Sequence, residues 1–173
     1  AAMGIFYCSA MLRFLGAGFL PTYFDANYDL FRADKAALMA TTPAGDGFAG
    51  WLAKAGFSLR EDKLYFDVSV DGPFKAIPAV DTASQADYPH LRGVIGMAEG
   101  ILGGFFVSGS YDKYFLGRNS GFFADLVDAN DAVIAAAFNY RTGAAVFTLL
   151  YNLRYNADTN GFDVTSSLQS SIK

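Results

Sequence analysis

The sequence predicts an α+β fold in which N-terminal helices pack on a C-terminal antiparallel β-meander. Three observations carry that expectation. Apolar residues in the first third recur at steps of three and four, residues from Leu64 onward alternate with a period of two, and short Gly- and Asp-rich turns punctuate the second half at nearly even spacing. The 173 residues read as one domain, mainly helical over 1–57 and mainly antiparallel β over 58–173, with a Gly-rich segment at 91–107.

Taken in order, residues 1–20 hold a single charge, Arg13. Ile5, Cys8, Leu12, Leu15 and Phe19 share one helical face, and Met3, Phe6, Ala10, Phe14 and Ala17 cover the other. A helix apolar all round is buried or lies against lipid. The segment lacks the basic start of a secretory signal and is read as part of the fold, ending at Pro21. A short helix is expected at 33–40. Another follows Asp46, with Phe48, Trp51, Leu52 and Ala55 as its apolar face and Gly56 as its stop.

The texture changes at Leu59. Leu64, Phe66, Val68 and Val70 alternate with Tyr65, Asp67, Ser69 and Asp71, and Asp71-Gly72-Pro73 signals a turn. A Pro-interrupted strand is expected at 74–80. Further strands are expected at 111–116, 122–127, 132–141, 144–156 and 162–168, with the tail from Thr165 as a last edge or a loose end. In the long one, Ala145, Phe147, Leu149, Tyr151, Leu153 and Tyr155 take one face, and Thr148, Asn152, Arg154 and Asn156 share the other. Such alternation calls for an antiparallel sheet with one buried side.

Between these regions, Leu91, Val94, Ile95, Ala98, Ile101, Leu102 and Phe105 trace one helical face, and Gly96, Gly100 and Gly104 form a small-residue row at four-residue spacing. With Gly93 and Gly103 the glycines would cost an exposed helix about 5 kcal/mol relative to Ala. A helix here therefore needs a backbone packed closely against that row. Otherwise the glycines mark bends and bulges in a strand.

Composition bounds the function. The hydrophobic set makes up 53% of residues, charged residues 17%, and mean hydropathy is +0.23. Soluble domains carry about 25% charge. Net charge is −4, with no basic run, which excludes a nucleic-acid partner. A lone globule of this mass exposes roughly 8,200 Å². With so few charges it must hide apolar surface in a partner, in lipid or around a cavity. The acidic residues are fifteen Asp and two Glu, a bias that places negative charge on loops.

Catalytic signals are sparse. His90, three residues after Asp87, is the only histidine, and no Gly-x-Ser-x-Gly elbow is present. Cys8 is the only cysteine and reads as a buried, inert thiol, and one His with one Cys cannot make a zinc set. Asn156, Asp158, Asn160 and Asp163, around Gly161, match the start of a calcium loop, but Ser167 stands where a bidentate Glu is required. Calcium is the one cofactor suggested, and a plain hairpin turn is the competing reading. Asp125, Asp128 and Asp131 likewise read as turn caps before cation ligands.

These features predict a non-enzymatic structural subunit of a homomeric assembly, its apolar contacts made with copies of the chain through Gly96, Gly100, Gly104, Ile5, Leu12 and Phe19. Two alternatives use the same surplus. One is a module binding a lipid or other small apolar ligand in a pocket lined by Phe and Tyr. The other is a small outer-membrane β-barrel, which strand lengths near ten and the aromatic content suit. An exported or envelope-associated location is expected, with lipid or membrane as a further partner.

Overall fold

The computed structural model describes residues 2–3, 5–16, 25, 27–41, 47–75, 87–118 and 121–172. It corrects the predicted fold class. Nearly all of the described chain is one antiparallel sheet of nine strands paired in sequence order, without crossovers. The strands are β1 (Ala2–Met3), β2 (Phe6–Leu15), β3 (Phe48–Leu59), β4 (Leu64–Pro73), β5 (His90–Leu102), β6 (Phe105–Lys113), β7 (Ala132–Thr142), β8 (Ala145–Asn156) and β9 (Gly161–Ile172). The helices are α1 (Tyr28–Thr41) and the six-residue α2 (Phe122–Val127). Among the described residues of the first third, only α1, which contains the helix expected at 33–40, is helical.

The other expected helices are strands. Residues Ile5, Leu12 and Leu15 belong to a turn and to β2, and Phe48 to Ala55 lie in β3, paired with β2 from Phe6↔Phe57 to Leu15↔Phe48. The Gly-rich segment forms β5 and β6, so the glycines mark strand features. Residues 122–127, expected as a strand, form α2 instead. Phe19 and most of the strand expected at 74–80 lie outside the described residues.

Connections differ sharply between the two ends of the sheet. At one end the strands join through residues 60–63, 103–104 and 143–144. At the other they join through 16–47, 74–89, 114–131 and the short turn 157–160. Three of these four loops are long, and the first carries α1.

The two faces of the sheet follow from register. Cα partners share a face, so the set Phe6, Phe57, Phe66, Ile95, Gly109, Ala136, Tyr151 and Ser166 lies on a single side. The opposite face is concave, because Tyr65, Arg92, Ser108, Ala135, Leu150 and Asn152, from five successive strands, line one cavity of about 190 Å³. The alternation expected in β4 and β8 is present, but its apolar side is not turned into a core: β4 is half-buried on both faces, and in β8 the apolar-side Phe147 and Tyr151 are exposed. Apolar residues of the convex face are exposed, with Leu12 at 66%, Ile95 at 62% and Leu168 at 73%.

No central apolar core exists among the described residues. The buried apolar set is Phe31, Tyr114, Leu116, Ala132, Val133 and Val146, gathered mainly toward the long-loop end. Accessible surface is 10774 Å², well above the roughly 8,200 Å² of a closed globule of this mass. Among the described residues no ladder joins β9 to β2, so the sheet keeps two open edges.

Candidate functional site: an apolar convex wall around a charged interior

The distribution of charge over the two faces is the most informative property of the sheet. Arg13, Lys54, Asp67, Asp71, His90, Arg92, Asp112, Arg141, Arg154 and Asp163 all occupy concave-face register positions. Glu99 joins them through a 2.7 Å ion pair with Arg141. On the convex face Lys113 is the one charged strand residue, and it is fully covered by the 114–131 loop. Its Nζ donates to the carbonyls of Asp128 and Asn130 and lies 3.8 Å from Asp125. The Asp bias of the sequence thus serves strands as well as loops, contrary to expectation.

The convex face sorts its residues by height. Phe6, Phe57 and Phe66 form one aromatic row near the short-turn end, with ring centroids 6.2 and 5.7 Å apart, and Phe105, Tyr140 and Phe147 continue it on β6–β8. Phe14, Trp51, Tyr111, Tyr155 and Phe162 lie toward the long-loop end. Between the two belts the same face carries aliphatic and small residues such as Ala10, Ala53, Val68, Gly93, Val107 and Ala136.

Inside, ion pairs cross neighbouring strands. Lys54 meets Asp67 at 3.0 Å, and Arg92 meets Asp112 at 2.8 Å. Arg13 on β2 reaches Asp71 on β4 at 3.1 Å, passing the intervening β3 where Gly50 offers no side chain. His90 sits between Asp71 (Nδ1, 3.4 Å) and the fully buried Asp112 (Nε2, 3.1 Å). Burial lowers the His90 pKa, but hydrogen bonds and negative charge from Asp112 and Asp71 outweigh it and push it up to about 8, so at neutral pH the ring donates from both nitrogens. With both ring nitrogens so engaged, neither is left to activate a hydroxyl. The sequence singled out His90 with Asp87. The true partners, Asp71 and Asp112, are its ladder neighbours on β4 and β6, or next to them, which period-two alternation could have signalled once β5 was taken as a strand.

Above this network, α1 packs on the long-loop end through Phe31. The His90 ring stacks on Tyr114 at 4.5 Å, and Phe31 of α1 meets Tyr114 edge-on at 5.2 Å. The Arg154 guanidinium lies 4.5 Å from the Phe31 ring. Tyr114 donates to Asp25 and accepts from Asn27, each at 3.0 Å, and Lys35 binds Asp25 at 3.0 Å. Burial pushes the Tyr114 phenol well above its usual range; the Asn27 bond opposes this, and the negative charges of Asp25 and Asp112 reinforce it. The phenol therefore stays a neutral donor.

The remaining predicted site residues fall in several places. Gly96 lies on the concave face directly under the Tyr65 ring, so any Cβ there would meet the ring. Gly100 adopts a φ of +95° at a register shift between Met97 and Leu102, and Gly104 belongs to the β5–β6 turn after Gly103 at +59°. The four-residue spacing therefore joins three unrelated roles and no common packing row. Leu12 is on the convex face, Ile5 in the turn before β2, and Cys8 is exposed rather than buried.

The calcium candidates do come together, in the β8–β9 turn. There Asn156 Oδ1 accepts from the Asp158 amide, Asn156 Nδ2 donates to Asp163, and Tyr155 donates to Asn160. These contacts are those of a hairpin turn. Asp128 likewise caps its own turn by accepting from the Asn130 amide at 2.9 Å. Among the described residues no cluster of three or more His, Cys, Asp or Glu is arranged to hold a metal, and no helix is long and apolar enough to cross a membrane. No protein-family model, curated protein or solved structure matches the chain.

Proposed function

We propose that the chain is a small β-barrel of the outer-membrane type, whose strands cross the hydrocarbon layer with the convex face against lipid. The observation that carries this reading is the segregation of charge: polar and ionised groups turn inward, and apolar groups turn outward. A water-soluble sheet does the reverse. Lipid-facing walls need this arrangement, together with short turns at one rim and long loops at the other.

Dimensions agree. A ten-residue strand is about 33 Å long, and a tilt near 40° projects it onto about 25 Å, the height of an outer-membrane apolar band. The aromatic rows sit where such a wall meets the two interfaces. Ion pairs cross the interior and Phe31 of α1 packs on its long-loop end, which supports an embedded structural scaffold over an open pore.

The cavity of about 190 Å³, lined by Arg92, Ser108 and Asn152 together with Val94, Ala135 and Leu150, is small beside usual ligand pockets of about 300–1,000 Å³. It favours lipid outside the sheet over an apolar ligand within it. Flotation tests the proposal. Denatured chain diluted into phospholipid vesicles is expected to float with them, with strand-type circular dichroism. Chain that folds and stays in the aqueous fraction, as a monomer or as a homomeric particle, contradicts it.

A further inference from the structure

We infer that α2 is an in-plane anchor, lying outside the wall at headgroup level with Phe123 and Val127 in the acyl boundary of the bilayer. The inference rests on the membrane reading and deepens it, because it assigns a lipid contact to a loop element rather than to a strand.

The chain after β6 folds over the long-loop end. Tyr114 stacks on His90 inside the sheet, whereas α2 is held outside by two convex residues of β6. Lys113 Nζ donates to the carbonyls of Asp128 and Asn130 and lies 3.8 Å from Asp125. The Tyr111 hydroxyl donates to the Leu126 carbonyl at 3.4 Å. Both side chains project from the face that carries Ile95 and Leu168, so α2 continues the outer apolar surface.

The polarity of α2 is reversed relative to a helix in water. Phe123 and Val127, four residues apart, share one side and are 82% and 87% exposed. Phe122, also exposed, meets the Phe123 ring edge-on at 5.4 Å. Asp125, two residues from each of Phe123 and Val127, faces the other way, is buried, and accepts from the Gly117 amide at 2.8 Å. A surface helix in water turns its carboxylate out and its apolar side in. The flanking charges are engaged locally: Arg118 pairs with Asp131 at 2.7 Å, and Asp128 accepts from the Asn130 amide at 2.9 Å.

Lipid is the occupant that this arrangement fits. The apolar side of a six-residue helix falls far short of the roughly 800 Å² per partner of a stable protein interface, whereas the bilayer adjoins the same wall and sets no such minimum. Interfacial helices sink their apolar side about 5–10 Å into the headgroup boundary. Depth follows from Lys113 and Tyr111. A lysine on the lipid side is costly at the bilayer middle and tolerated near the interface, and Tyr111 belongs to the aromatic belt at that end.

The test places tryptophan on α2. Phe123→Trp and Val127→Trp are each made in a chain carrying Trp51→Phe and refolded into vesicles whose lipids bear bromine either near the headgroup or near the chain ends. Both are expected to be quenched strongly by the shallow bromine, weakly by the deep bromine and little by aqueous iodide. The unmodified chain, in which Trp51 reports on the wall, is measured alongside. Iodide quenching at 123 and 127, with Trp51 still quenched by brominated lipid, overturns the anchor and leaves the membrane reading standing. Protection from iodide and from both lipids would show a protein cover such as a second copy, and quenching strongest by the deep bromine would put α2 inside the hydrocarbon; either overturns the inference. Ala157→Trp, in the polar β8–β9 turn at the same end, controls for an introduced indole seeking the interface, and lipid quenching there equal to that at 123 also overturns it. Trp51 open to iodide removes the membrane reading itself, so the two failures are distinguishable.

Discussion

Replacing Ile95 by Lys separates a lipid-facing wall from a water-facing one. Ile95 lies near the middle of β5, on the convex face beside Phe66 and Gly109, with 62% of its surface exposed. If that surface meets water, the substitution removes no buried contact and changes stability by no more than about 0.5 kcal/mol. If it meets the middle of a bilayer, a lysine costs about 2–4 kcal/mol, which lowers the folding equilibrium about 30- to 1,000-fold. The assay is equilibrium denaturant unfolding of vesicle-inserted chain, with the slope of the transition checked for constancy. Ala157→Lys is the control, because Ala157 is exposed in the β8–β9 turn outside the strands and should shift stability little. The same small shift for Ile95→Lys and Ala157→Lys would refute the lipid-facing assignment.

Other perturbations probe the interior and the loop end. Asp112→Ala removes the fully buried carboxylate that neutralises His90 and the partly exposed Arg92 and is expected to cost about 3–5 kcal/mol, measured by the same unfolding titration, with Asp112→Asn less damaging. Gly96→Val forces the Tyr65 ring aside, at about 1–3 kcal/mol; a Tyr65→Ala partner should recover part of that loss in a double-mutant cycle. Lys113→Met deprives the 114–131 loop of its anchor to Asp125 and two carbonyls, so limited proteolysis should cut this loop faster while strand-type circular dichroism stays unchanged. Tyr114, whose folded-state pKa lies above its unfolded value near 10, contributes stability that is fully present below pH 10 and is lost as pH rises through the folded value. In an alkaline absorbance titration its phenolate should appear last, a component that Tyr114→Phe removes.

Much of the sheet was legible, but its orientation was not. In β4 and β8 the alternation is strict, because polar and apolar residues occupy opposite faces throughout. Alternation alone does not say which face meets a surrounding phase, and the habit of soluble sheets assigned the apolar face to a core. β2 was hidden because Tyr7, Met11 and Leu15 of its inner face are themselves largely apolar, which erases the period of two and leaves a run that also fits a helix. β3 suffers from its inner glycines, Gly50 and Gly56, and from the accident that Trp51, Leu52 and Ala55 fall at helical steps. In β5 the glycines at 96, 100 and 104 serve an aromatic cover, a register shift and a turn, and their regular spacing imitated a packing row. The ion-pair network needs strand register to assemble, so its members could be named only as scattered charges.

The most direct test of the central claim uses the chain's only tryptophan. Trp51 lies on the convex face of β3, beside Leu12 and Gly72. In vesicles whose acyl chains carry bromine, its fluorescence is expected to be strongly quenched and blue-shifted, while aqueous iodide leaves it bright. Emission that iodide quenches and brominated lipid does not would place the apolar face in water and contradict the account.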